Sequence, residues 1–362
     1  MKVALIAPPW LKVPPERGGG IESMIDSLAR QLSKLGVQVV LFSVGSSRTP
    51  VENRYLFADE ALGPDEFRES SHLAFSIENA RDVDLIHLHS DLAIPLSRHV
   101  SQPIVHTFHH PATPSLMEMA GGFRNIHYVA VSECQKHSIE EQLSSLSVSC
   151  ISHGLELCRY PWQERKSDYF CYLGRIAPEK GVRQAIEVCR RSGLRLKIAG
   201  PTSSQGYPGQ QSDAYFRQVI EPLVDGKLVE YVGELGFEDK VDFLKHSRGL
   251  LFPVQWEEPF GLIVIEAMAC GTPVLALGRG SLPELVAHGE TGYIACDMDE
   301  FEKSIPRLRD IDPARCRRLV EERFSAERMA DDYHKLYARI LAAEAIQAMT
   351  PQALVSSHAS GN

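Results

Sequence analysis

The chain contains no Cys-x-x-Cys pair, no apolar run of membrane-spanning length and no excess of basic charge. Its eight cysteines are scattered through segments that read as strands and helices, which favours reduced packing residues over a disulfide framework. Against 47 acidic residues stand 38 basic ones, a formal charge of -9, which argues against general nucleic-acid binding. The opening Met-Lys-Val-Ala-Leu-Ile-Ala-Pro-Pro is too short for a signal sequence and reads as a first strand. The expected location is the cytoplasm.

What is present describes two ordinary globular domains, since 362 residues exceed what one core usually serves. Val3 to Ala7 reads as a strand, Ile21 to Leu35 as a helix with one apolar face, and Val37 to Val44 as a second strand. Strands follow at Leu85 to Leu88, Ile104 to Phe108, Tyr128 to Val131 and Val148 to Ile151. The polar stretch Pro161 to Ser167 reads as a linker. Beyond it, strands at Tyr169 to Leu173, Leu196 to Ala199, Val229 to Val232, Leu250 to Pro253, Val274 to Leu277 and Tyr293 to Ala295 restart the alternation. Helices at Val182 to Arg191, Tyr215 to Leu223, Lys240 to His246 and Leu282 to Ala287 separate several of them. The pattern predicts two α/β domains with Rossmann-like, doubly wound parallel sheets, over residues 1–162 and 163–324. Ala326 to Ala343 reads as a last amphipathic helix, and the closing residues 347–362 as a disordered tail.

Residues 256 to 274, Trp-Glu-Glu-Pro-Phe-Gly-Leu-Ile-Val-Ile-Glu-Ala-Met-Ala-Cys-Gly-Thr-Pro-Val, carry the most chemistry. Pro259 suits a helix entry and Gly271 a position just past a helix end, so a helix is predicted to start near Phe260. The N–H groups of Phe260, Gly261 and Leu262 would then point out of its first turn, and Gly261 lets an anion approach the backbone closely. That is a phosphate seat. Glu258 and Glu266 would stand roughly 12 Å apart, about 80° around the axis, were every step between them helical. A glycosidase needs its acids about one anomeric centre, so this pair fits better as two clamps on one long ligand. Glu258 would hold sugar hydroxyls and Glu266 a ribose, with a diphosphate between them, which is the shape of a nucleotide-sugar. The plain alternative is a buried helix with two solvated glutamates, against which stand the apolar neighbours Ile263, Val264, Ile265 and Met268.

This run resembles the E-x7-E motif of glycosyltransferase family 4, including the Pro-Phe-Gly-Leu between the acids and the Glu-Ala-Met-Ala-Cys-Gly-Thr-Pro-Val that follows. The resemblance implies the GT-B fold, two Rossmann-like domains facing each other across a cleft, and a retaining enzyme. It also implies that the last helix, 325–346, crosses back onto the first domain. Leu173-Gly174-Arg175-Ile176-Ala177-Pro178-Glu179-Lys180-Gly181 is similar to the family's Gly-Arg-x-x-x-Glu-Lys-Gly, which assigns Arg175 and Lys180 to the donor's phosphates. Read by charge alone, these cations at a strand's carboxyl end suit a departing diphosphate without a metal. The segment alone also reads as a solvated turn.

Pro14-Pro15-Glu16-Arg17-Gly18-Gly19-Gly20 joins the first strand to the first helix, so the backbone at Gly19 and Gly20 can close over donor phosphates or acceptor. Family members often carry an aromatic residue in place of Gly18, which breaks any transfer of acceptor contacts. His109 ends a strand where the family often has a His near the transferred sugar. A metal site among His87, His89, His106, His109 and His110 lacks a carboxylate or Cys at a recognisable spacing, and strand-end packing is the other reading. His153-Gly154-Leu155-Glu156 departs from the family's Asn-Gly-Val-Asp and is assigned to structure rather than chemistry. Gly233 and Glu234 border the expected base pocket.

The resemblance implies transfer of a hexose from a nucleoside-diphosphate sugar to a hydroxyl, with UDP-glucose the first expectation and GDP-mannose the second. Neither metal nor cofactor is expected. The catalytic set is His109, Arg175, Lys180 and Glu258. Donor binding adds Gly19, Gly20, Gly233, Glu234, Phe260, Gly261, Leu262 and Glu266, and the loop Thr202 to Gln211 would choose base and sugar. No basic amphipathic stretch marks membrane docking, which prefers a soluble acceptor over a lipid-linked one. A sugar-nucleotide epimerase, a glycan phosphorylase and a non-catalytic nucleotide-sugar-binding protein remain alternatives on the same fold.

Overall fold

The computed structural model describes residues 1–61, 65–144, 146–202 and 211–349. Its first sheet contains β1 (Lys2–Ile6), β2 (Gln38–Phe42), β3 (Glu52–Arg54), β4 (Leu85–Leu88), β5 (Ile104–Thr107), β6 (Ile126–Ala130) and β7 (Val148–Cys150). The second contains β8 (Phe170–Leu173), β9 (Leu196–Ala199), β10 (Val229–Tyr231), β11 (Leu250–Phe252), β12 (Val274–Leu277) and β13 (Gly292–Ala295). The spatial orders are β3-β2-β1-β4-β5-β6-β7 and β10-β9-β8-β11-β12-β13. The pairings are parallel, from β1 with β2 and β4 to β11 with β8 and β12. Parallel sheets are covered on both faces, which is why Val3, Ala4, Leu5 and Ile6 run without polar alternation and are all fully buried. The strand that sequence patterning misses is β3, a Glu-Asn-Arg edge without apolar periodicity.

In each sheet the order reverses once, between β1 and β4 and between β8 and β11. Such reversals open a crevice at the carboxyl ends of the two strands. The segment holding Arg175 and Lys180 leaves β8, and the segment holding Glu258 leaves β11, so residues about eighty positions apart in sequence meet at one crevice.

The last helix, Ala326–Met349, packs on the first domain: Met329, Tyr333, Leu336, Tyr337 and Ile340 share a core with Val3, Leu5, Ile25 and Leu28. A buried polar chain pins it there, with His87 Nδ1 2.7 Å from the Tyr337 hydroxyl, His87 Nε2 2.8 Å from Thr107 Oγ1, and Thr107 Oγ1 2.8 Å from the Tyr333 hydroxyl. The two crossings between domains run side by side, since the Leu155 N–H donates to Phe324 and the Ala326 N–H donates to Leu155, each at 2.9 Å. Gly154 is required there, because a Cβ would lie 2.2 Å from the Ser325 carbonyl oxygen.

Three expectations are revised. The central helix spans Leu262–Ala269, not from Phe260, because its N-cap Gly261 takes a left-handed φ of 93° that no helical path contains. Only the second half of the path from Glu258 to Glu266 is therefore helical. The segment expected as one helix from Tyr215 to Leu223 divides into a helix ending at Tyr215, a π-turn over Phe216–Ile220 and a 3-10 turn over Glu221–Leu223. Residues 347–349 continue the last helix, while 350–362, like 203–210 of the expected base-choosing loop, lie outside the described residues.

Candidate active site

The loop after β11 carries the seat. Residues 258–260 are held by the turn at 279–281: the Ser281 N–H donates to the Glu258 carbonyl at 2.9 Å and Ser281 Oγ to the Phe260 carbonyl at 2.5 Å. Among the described residues, the N–H groups of Phe260, Gly261 and Leu262 have no partner, so three consecutive donors stand free where the helix begins. The helix start is thus displaced from the expected position while the three amides remain available. An anion is the complementary ligand.

The expected cations stand beside it, each already paired. Lys180 Nζ donates to Glu258 Oε2 at 2.8 Å, and Arg175 Nη2 lies 2.8 Å from Glu179 Oε1. The Tyr172 hydroxyl braces their loop by donating to the carbonyls of Arg175 and Lys180, each at 3.3 Å. Gly181 makes the close approach possible: a Cβ there would sit 1.8 Å from the Pro253 carbonyl oxygen of the loop following β11. An entering diphosphate would compete with the Glu179 and Glu258 carboxylates for these cations, which makes binding an exchange of anions.

Glu258 and Glu266 are both 8% exposed, which removes the reading of two solvated glutamates. Each is held by a cation and an aromatic donor on a single oxygen. On Glu258 the partners of Oε2 are Lys180 and the indole N–H of Trp256, both at 2.8 Å. On Glu266 the partners of Oε1 are the Tyr160 hydroxyl at 2.8 Å and Lys240 Nζ at 2.5 Å. The second oxygen of each accepts nothing among the described residues. Both carboxylates therefore keep one acceptor for a ligand.

From the first domain, the glycine loop reaches the same place. Gly19 caps the first helix in a left-handed conformation, φ 63°, and a Cβ on Gly20 would lie 3.0 Å from Leu262 Cδ1. Gly18 faces Glu234, with an added Cβ 3.3 Å from Glu234 Oε1, and Arg17 pairs with Gly236 as an antiparallel bridge. Gly233, at φ 82°, accepts from the Gly200 N–H at the end of the second sheet. The Ser132 hydroxyl donates to the Pro259 carbonyl at 2.8 Å and completes the bridge over the seat.

His109 is in the cleft wall. Its Nε2 lies 3.0 Å from His89 Nδ1, and its ring stacks on His153 with centroids 5.5 Å apart. His153 in turn meets the ring of Phe260 edge to face at 4.8 Å. His153, assigned to structure from the sequence, packs between His109 and Phe260. Burial pushes His89 and His109 well below the usual imidazole range and His153 down to about 3, so the three rings are neutral. His89 Nε2, His109 Nδ1 and His153 Nδ1 are buried without a partner among the described residues, which marks this wall as built for polar company. His106 and His110 instead bond Asp91, at 3.0 and 3.1 Å. No group of three or more metal-ligating side chains occurs among the described residues.

Two facing α/β domains, each a parallel sheet with one reversal of strand order, define the architecture of a GT-B glycosyltransferase. The chain matches the family described as Glycosyltransferase Family 4 over residues 18–157 and that described as Glycosyl transferases group 1 over residues 161–322. It belongs to the group 1 glycosyltransferases of family 4. A glycogen synthase of Mycobacterium tuberculosis is 27% identical over 277 residues, 69% of this chain and 65% of that protein, so the match spans slightly under two thirds of the relative. The fold matches a sucrose-phosphate synthase from Thermosynechococcus elongatus at a TM-score of 0.79 and 20% identity, covering 95% of this chain and 100% of the other. It also matches HepE of Anabaena in complex with UDP-glucose at a TM-score of 0.73 and 16% identity, covering 95% and 100%. Among the described residues, no helix is long and apolar enough to cross a membrane.

Proposed function

We propose that the protein is a retaining hexosyltransferase that takes its sugar from a nucleoside-diphosphate hexose, UDP-glucose before GDP-mannose, and places it on a hydroxyl. The observation that carries this reading is the run of three unpartnered amides, at 260–262, next to the Lys180–Glu258 pair at one switch point. A diphosphate on those amides would lie between Glu258 and Glu266, whose unoccupied oxygens suit sugar and ribose hydroxyls respectively. The UDP-glucose bound to the structurally similar HepE supports the choice of nucleotide.

In the proposed reaction the bond from the sugar's C1 to the diphosphate oxygen breaks and a bond from C1 to the acceptor oxygen forms on the same face. The acceptor's proton passes to the departing diphosphate. Arg175, Lys180 and the seat amides stabilise the charge that develops there, in the role a divalent ion fills elsewhere. His109, neutral, offers a hydrogen bond to the sugar rather than a proton. Gly19 and Gly20 close over the donor from the first domain, and Gly233 and Glu234 border it from the end of the second sheet.

A melting panel of UDP-, GDP- and ADP-sugars tests the reading, because a ligand that binds only the folded form raises the melting temperature. UDP-glucose is expected to give the largest rise and to support transfer onto a hydroxyl acceptor. A panel in which no sugar nucleotide moves the transition overturns the proposal. Conversion of the donor without an acceptor would instead indicate an epimerase, and release of sugar phosphate in inorganic phosphate a phosphorylase.

A further inference from the structure

Trp256 stands two residues before Glu258 and touches both members of the pair at the seat. The indole N–H donates to Glu258 Oε2 at 2.8 Å, and Lys180 Nζ, which donates to the same oxygen, lies 4.2 Å from the centroid of the indole. One side chain thus grips the carboxylate with its edge and carries the ammonium on its face. We propose that Trp256 is a positioning residue that keeps Glu258 aimed at the donor's sugar when Lys180 leaves it for the diphosphate, an inference that rests on the donor reading above.

Glu258 and an entering diphosphate compete for Lys180. A diphosphate on the amides at 260–262 offers the ammonium a stronger anion than Glu258 does. Were Lys180 the carboxylate's sole donor, its departure would strand a charge that is 8% exposed and let the side chain turn. The main chain at this point is already fixed, because the Ser281 N–H holds the Glu258 carbonyl and Gly280 packs so closely that a Cβ would lie 2.2 Å from that oxygen. Rotation of the Glu258 side chain is the remaining freedom, and the indole N–H removes it. The indole is uncharged and rigid, so a diphosphate draws it far less than it draws the Lys180 ammonium, and its bond to Glu258 survives the exchange. Glu258 Oε1 then remains turned toward the sugar hydroxyls. Meanwhile the indole face gives the ammonium a second attraction on its way between the two anions.

Two substitutions separate edge from face. Trp256→Phe keeps an aromatic face and loses the N–H; Trp256→Gln keeps an N–H and loses the face. Calorimetric titration of wild type and both variants with UDP and with UDP-glucose reads the phosphate and sugar halves of the site separately. Trp256→Phe is expected to bind UDP within about twofold of wild type and UDP-glucose about tenfold more weakly, the weight of one hydrogen bond to a charged group, with Trp256→Gln recovering part of that loss. A packing role would weaken both ligands alike. Equal loss for UDP and UDP-glucose, or no loss for either, in a Trp256→Phe protein overturns the proposal while leaving the donor reading intact. Wild type that binds neither ligand overturns both.

Discussion

Glu284 reaches from the second domain to the first and accepts the backbone N–H of Glu133 at 2.9 Å, while its other oxygen accepts that of Cys134 at 2.6 Å. Glu133 opens the helix Glu133–Gln142, whose first-turn amides have no partner within the helix, so the carboxylate caps a positive helix end across the cleft. Beside it, Ser132 donates to Pro259, the residue after Glu258. The approach of the domains and the shape of the seat are therefore coupled through one helix end. Glu284→Ala removes both acceptors, worth about 1 kcal/mol for an exposed helix-end contact. The ligand-free variant is expected to show a larger radius of gyration in small-angle scattering, with UDP-glucose restoring the compact form. Scattering curves identical to wild type would refute the coupling.

Arg175 and Lys180 do not contribute equally. Arg175→Ala leaves Glu179 exposed to solvent on one side, whereas Lys180→Ala removes the cation from Glu258, which then depends on Trp256 alone. Both are expected to lower kcat about 100- to 1000-fold, the usual weight of a donor that stabilises developing charge. Because the Trp256 indole still holds Glu258 in Lys180→Ala, sugar recognition should persist there, seen as a loss of UDP-glucose affinity no larger than the loss of UDP affinity. Unchanged turnover in either variant would remove these residues from the mechanism.

Tyr160 lies in the connection between domains, and its hydroxyl donates to Glu266 Oε1. Arg317 fixes the same residue's main chain, donating to the Tyr160 carbonyl at 2.6 Å and to that of Ala269 at 3.0 Å. The connection is thereby tied to the carboxylate proposed for the ribose. Tyr160→Phe leaves Lys240 in place and loses one hydrogen bond, about 1 kcal/mol or roughly fivefold in UDP affinity. Binding of 2′-deoxy-UDP should fall less than binding of UDP. Equal losses for the two nucleotides would detach Glu266 from the ribose.

The sheets were legible because parallel strands buried on both faces leave uninterrupted apolar runs such as Val3 to Ile6 and Val274 to Leu277. The spacing of Glu258, Glu266, Arg175 and Lys180 was legible through the family's motifs. The helix start was misread because two local rules compete: Pro259 suits a first helical position, but the left-handed Gly261 two residues later interrupts the path. Trp256, Tyr160, Lys240 and Glu284 carry no spacing signal. Tyr160 reaches Glu266 from 106 positions away and Glu284 reaches Glu133 from 151, so only the folded topology makes them neighbours.

The buried imidazoles set the response to acid. Burial depresses His72 to about 4 and His153 to about 3, and holds His87, His89 and His109 well below their ordinary value. In the unfolded chain these rings protonate near pH 6.5, so the unfolded state binds more protons below that point and gains on the native state. Their contribution is complete above pH 6.5 and is lost as pH falls toward each folded value, on the order of 3 kcal/mol for His72 by pH 4. Glu22 acts with the opposite sign: burial raises it to about 7, so it weakens the fold as pH rises from 4.5 to 7. Burial raises Glu69 too and lowers His127 as well, and two carboxyls do not offset six imidazoles. Denaturant midpoints are expected to fall steadily from pH 7 to pH 5, and His153→Asn, which deletes one titrating ring, should flatten that slope. Midpoints that stay level or rise on acidification would mean that water reaches these rings in the native state.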